Sequence, residues 1–145
     1  MSLGGFHIQR KVIGIGVLVF AMLTLLYMIM NDYDALNLAT QRISDEIGML
    51  SFRIAVWAYL FGILSEWRAI QQLINKEIKV NLKLLIPSLF LTTLVFIPNI
   101  YWLKWFGSPM PKLEHLFINI FIIPETHMVV SVLAGILFIR SFTKN

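Results

Sequence analysis

Cysteine is absent, so neither disulfides nor thiolate-held metals fasten this chain, and the redox compartment leaves no trace in it. Charge is scarce: Asp, Glu, Lys and Arg make up 14% of the residues, against about a quarter in a soluble domain. Also lacking are a phosphate-binding loop, a His-Glu-x-x-His helix, a nucleophile elbow and any zinc spacing, and three histidines are few for a metal centre. No cofactor, no metal and no catalytic residue is therefore expected. The chain is expected to be something other than an enzyme.

In place of these features stand long apolar runs, in a chain of 145 residues that is 58% hydrophobic. A soluble core would need alternating faces, whereas uninterrupted runs point to hydrocarbon as the solvent. Twelve Lys and Arg against eight Asp and Glu give a net charge of +4, but the cations are scattered between the runs, so no nucleic-acid partner is expected. The expectation is an all-α integral membrane protein, one transmembrane helical domain over 1–145. Four transmembrane helices are expected near 12–30, 48–70, 84–103 and 124–143, with an interfacial helix near 112–123.

The first run, Val12 to Met30, is nineteen residues without a charge behind Arg10 and Lys11, close to the roughly twenty that a crossing needs. A signal peptide has the same beginning, but the run is long and Asn37-Leu38-Ala39 is a poor cleavage site. Asn31 to Glu46, with Asp32, Asp34, Asp45 and Glu46 against Arg42, reads as a solvated loop. Ser44-Asp45-Glu46 then reads as a helix start, a serine cap followed by acids at the positive end of the dipole. The second span has an uncharged centre of only twelve residues, Ile54 to Ser65, about 18 Å of helix. Arg53 and Glu66 must therefore snorkel or pair, with Trp57 and Trp67 as interfacial anchors.

A short basic connector with Lys76, Lys79 and Lys83 leads to Leu84–Leu103, twenty uncharged residues ending among Tyr101, Trp102 and Trp105. Pro87 fits its first turn, and Pro98 removes an interior donor, so a bend near Leu94 is expected. Beyond it, one helix over Leu116–Ile139 would put Glu125, Thr126 and His127 mid-membrane, at roughly 2.5–3.5 kcal/mol for the carboxylate. The favoured alternative opens a helix at Pro124, where proline and glutamate suit the first turn, and runs twenty residues to Thr143. Lys112, His115 and Asn119 then share one stripe of a separate interfacial helix.

With both termini inside, eight cations lie on the cytoplasmic side (Arg10, Lys11, Arg68, Lys76, Lys79, Lys83, Arg140, Lys144) and four outside (Arg42, Arg53, Lys104, Lys112). That bias orients the chain as a multi-pass protein with both termini cytoplasmic, and it fits a bacterial inner membrane. The candidate binding positions are the polar groups in or near the membrane, Arg53, Glu66, Glu125 and His127. An Arg53–Glu125 ion pair is expected from their similar depth. A metal site joining Glu125 and His127 with Glu114 and His115 is disfavoured, because residues two apart on a helix face different ways. Gln71, Gln72 and Asn75 beyond Glu66 and Arg68 read as a helix continuing into water. Small residues four apart, Ala58 with Gly62 and Ser131 with Gly135, would allow close helix approach.

With so little polar mass, function must reside in spans and short loops. The first expectation is a small polytopic protein acting by helix contact with another membrane protein, as an accessory subunit or an immunity-type inhibitor of a pore-forming toxin. Its partners would be the lipid bilayer and another integral membrane protein or a second copy of itself. The alternative is a homo-oligomeric ion channel or small transporter lined by Arg53, Glu66 and Glu125. The third is an enzyme on a lipid-soluble substrate, with Glu125 and His127 as acid and base.

Overall fold

The computed structural model describes residues 3–75, 79–107 and 116–143, and every regular element among them is helical. In chain order these are α1 (Leu3–Gln41), α2 (Ile47–Ser65), α3 (Trp67–Ile74), α4 (Leu82–Val95), α5 (Asn99–Phe106), α6 (Leu116–Ile122) and α7 (Pro124–Arg140). Among the described residues two helices are long and apolar enough to cross a membrane, Ile13–Gln41 and Ile47–Ser65, and α4 with α5 makes a third if that bent pair is one span. The chain is thus a helical protein built for a bilayer.

α1 corrects the expected loop. Its 39 residues, about 58 Å of helix, continue through the acidic stretch to Gln41 instead of ending at Met30. Ile29, Asp32, Leu36 and Ala39 recur at 3-4-3 spacing and are all buried, so Asp32 occupies a core-facing position on the stripe packed against α2. The helix ends in a Schellman turn, with Ser44 N donating to Ala39 O (3.0 Å) and Ile43 N to Thr40 O (3.3 Å). Ile43 holds the left-handed position that glycine usually takes, at φ 52.

The second expected span, 48–70, is broken. α2 stops at Ser65, whose hydroxyl donates to Gly62 O (2.7 Å), and Glu66 leaves helical geometry before α3 begins. The third, 84–103, bends by 81° between α4 and α5. Pro98 has no N–H to give Leu94, whose carbonyl is taken instead by Ile97 N (3.3 Å), so the expected kink becomes a full change of direction. The last helix begins at Pro124, with Ile123 extended ahead of it, so the single helix over 116–139 is excluded. Of the expected interfacial helix, Leu116–Ile122 is helical, while Lys112, Glu114 and His115 lie outside the described residues.

α2 is the centre of the packing, between α1 on one side and α7 on the other, with α4 against α7. Gly14 of α1 lies by Trp67 and Asp32 by Arg53, so α1 runs antiparallel to α2. Gly62 meets Val132, and Glu66 meets Arg140, so α7 runs parallel to α2. Asn81 N donates to Ser141 O (2.7 Å), and His127 lies by Val95, so α4 is antiparallel to α7.

The closest approach is between α2 and α7. A Cβ built on Gly62 would lie 2.1 Å from Val132 O, and one on Gly135 2.2 Å from Tyr59 O, while Ala58, Ser131 and Ala134 between them are fully buried. Backbone meets backbone there because lipid tails offer no hydrophobic drive, and close van der Waals contact must hold the helices. Beside this seam Tyr59 packs on Phe96 and Phe138, at ring separations of 5.2 and 6.0 Å.

Candidate functional site

Asp32 is 2% exposed, an unusual place for a carboxylate. Its two oxygens are divided between partners on α2: Oδ1 lies 3.0 Å from Arg53 Nη2, and Oδ2 accepts from Trp57 Nε1 at 2.9 Å. The next residue, Tyr33, donates its hydroxyl to Glu125 of α7. Adjacent residues of α1 thus hold α2 and α7 at one level, and the acidic stretch expected to be a loop is the clamp between three helices. The expected Arg53–Glu125 ion pair does not form. Arg53 turns to the buried carboxylate of Asp32, where less water competes for it, and Glu125 takes the phenol instead.

A second tie closes the other end of α2 and α7. Arg140 Nη2 lies 2.7 Å from Glu66 Oε1, with Arg140 half exposed. Arg53 and Glu66 stand thirteen residues apart, about 20 Å along the helix axis, so polar belts bracket the small-residue seam rather than forming a chain through it.

His127 faces the other way from Glu125 and is 3% exposed. One ring nitrogen bonds to the Val95 carbonyl, which the bend between α4 and α5 has released, and Nε2 has no partner among the described residues. Trp102 Nε1 is also buried without a partner, and the two rings flank Phe121, which stacks on Trp102 at 4.9 Å and meets His127 edge-on at 6.2 Å. The geometry therefore separates Glu125 and His127, one clamped to α1 and the other bonded to the end of α4. No group of three or more His, Cys, Asp or Glu able to hold a metal occurs among the described residues.

Of the four positions singled out in the sequence, Arg53 and Glu125 meet neighbouring residues of α1, Glu66 meets Arg140, and His127 lies in the core. Sequence reasoning missed Asp32 and Tyr33. The signal was present as the buried 3-4-3 spacing around Asp32, but the density of acids outweighed it. It also missed Asn99, buried at the start of α5 and accepting a bond from Ser51 of α2.

Near Asn99 a cavity of about 270 Å³ opens where the ends of α1 and α2 meet α5 and the link between α6 and α7. Comparison with known proteins gives no match to a family model, to a curated protein or to a solved structure.

Proposed function

We propose that the chain is a four-span protein of a bacterial inner membrane, both termini cytoplasmic, that acts by lateral helix contact with another integral membrane protein. Four crossings are supported by the alternating directions of α1, α2, α4 and α7. The orientation is supported by the eight-to-four excess of cations assigned to the cytoplasmic side. The 17 residues of α7 reach about 26 Å, enough for a crossing when Arg140 and Glu125 sit at the two surfaces.

The observation that carries the contact reading is the first half of α1. Between Ile13 and Met28 no side chain is buried within the chain, and Val17, Phe20, Leu23 and Tyr27 are each more than half exposed. The polar groups nearer the core are meanwhile occupied: Arg53 by Asp32, Glu125 by Tyr33 and Glu66 by Arg140. Charges consumed in internal ties suit a scaffold better than an ion path, and the surface left for interaction is apolar helix.

A photo-crosslinking side chain at position 20 or 27, introduced in the native membrane, tests this. A single protein adduct of constant mass from both positions, co-purifying at one copy per chain, is the expected result. Adducts with lipid alone would overturn it. Ion flux through liposomes of the purified protein, abolished by Glu125→Gln, would replace it with the channel reading.

A further inference from the structure

α3 parts from α2 where Glu66 leaves helical geometry, and its residues divide between two edges. Trp67, Ile70, Leu73 and Ile74 fall within one arc of about 120°, while Arg68, Gln71 and Gln72 fall on the other side. A helix continuing into water has no use for the apolar arc. Nor does the rest of the chain cover it. α3 rests against α2 and α7 on the side of Ala69, which is 4% exposed, whereas Ile74 at the end of the apolar edge is 68% exposed. Arg68 and Gln71 on the polar edge are exposed as well.

The same end of the molecule gathers unpaired cations. Glu66 is tied to Arg140 at 2.7 Å, and just beyond that tie Asn81 N donates to Ser141 O (2.7 Å) and Lys79 N to Phe142 O (3.3 Å). Arg68 stands two residues from Glu66 and Lys83 two from Asn81, so both flank the backbone that these bonds fix, as Lys79 does. All three side chains are exposed, and none forms an ion pair among the described residues. With Arg140 they set four cations against Glu66, the one described carboxylate at this end; at the opposite end the described carboxylates outnumber the cations.

Two kinds of surface complement such a patch, an acidic protein and a membrane rich in acidic phospholipid. The apolar residues between the cations decide for lipid. Val80 and Leu82 are 52% and 64% exposed, and the stripe from Leu82 continues along α4 through Ile86 and Phe90, both exposed. The patch therefore runs without a break into the surface that α4 presents to hydrocarbon. A helix with one apolar and one polar edge lies in the plane of such an interface, and cations beside it favour heads that carry net negative charge.

We infer that this end of the chain is a seat for acidic phospholipid. α3 lies in the interface with Ile70, Leu73 and Ile74 among acyl chains and Gln71 toward water, and the phosphate groups of the lipid lie at Arg68, Lys79 and Lys83. The inference rests on the crossing of α4 and is independent of the protein contact along α1.

Because the chain has no cysteine, Ile74→Cys, Gln71→Cys and Phe90→Cys each carry a nitroxide at one place, in vesicles of phosphatidylethanolamine and phosphatidylglycerol. Labels at 74 and 90 should relax with oxygen, and the label at 71 with a water-soluble nickel chelate. Labels at 74 and 71 both in water, with 90 in hydrocarbon, would overturn the seat and leave the crossing intact; a label at 90 in water would overturn both. Spin-labelled phosphatidylglycerol should be enriched beside the native chain over phosphatidylcholine by about twofold or more at low salt, and the enrichment should vanish in about 1 M salt. The triple variant Arg68→Gln, Lys79→Gln, Lys83→Gln should lose it too, whereas Arg42→Gln with Lys104→Gln at the opposite end should keep it. Should the triple variant lose its helical circular dichroism, the salt titration of the native chain supplies the same test. Enrichment that is absent, unaffected by salt or equal in the triple variant would overturn the inference and leave the cations to an acidic protein.

Discussion

Removing Arg53 should damage the protein more than removing the carboxylate it holds. Asp32 is 2% exposed, so without Arg53 its charge keeps only the Trp57 indole and has no route to water or headgroups. Breaking a buried pair by deleting one partner costs roughly 3–5 kcal/mol. The Arg53 side chain is 45% exposed, which screens the interaction and places Arg53→Met near the lower end, about 3 kcal/mol. The reverse change, Asp32→Asn, keeps an acceptor for Trp57 and leaves an arginine whose long stem lets its head move to the interface, for about 1 kcal/mol. The double variant removes both charges and should also stand near 1 kcal/mol, so the coupling in the cycle is about 3 kcal/mol. Reversible unfolding in mixed micelles titrated with dodecyl sulfate measures all four proteins. Equal costs for the two single changes, or a larger cost for Asp32→Asn, would refute the clamp.

The other expectations are smaller in scope. Gly62→Ala places a methyl group against the Val132 backbone and should cost about 3 kcal/mol in the same assay. Gly16→Ala meets nothing within 4 Å and should gain up to about 1 kcal/mol from helix propensity. Ile43→Gly relieves a left-handed residue that is 88% exposed and buries nothing, so a gain of about 0.5–1 kcal/mol is expected on chemical melting. Glu66→Gln and Arg140→Gln should each cost under about 1 kcal/mol and shrink further in high salt, because Arg140 is half exposed. A cost above about 2 kcal/mol for either would mean that the lower tie is buried by something outside the chain.

Several features were legible in the residues alone. The uncharged runs and their basic flanks define a helical membrane protein, because burial of backbone polar groups in hydrocarbon leaves a long apolar segment little choice but helix. The start of α7 was the favoured of two sequence readings, since Pro124 followed by Glu125 satisfies the requirements of a first turn locally, and the helix does begin there. The small residues at Ala58, Gly62, Ser131 and Gly135 marked where two helices approach, although not that α2 and α7 run parallel.

Local composition failed where a side chain's meaning depends on what lies across from it. By its neighbours in sequence Asp32 is a loop residue, and only Arg53 and Trp57 across from it make it part of the core; by depth alone Glu125 matches Arg53, but Tyr33 is the residue that bonds to it. The extent of α1, the break at Glu66 and the 81° turn after Val95 are likewise settled by neighbours: a helix end is set by a balance of a few hydrogen bonds that tertiary contacts easily tip. Sequence thus determined the solvent and the kind of element, which follow from summed transfer energies over many residues. Tertiary structure decided which charges meet, because each pairing rests on one side chain and on the geometry of helices distant in the chain.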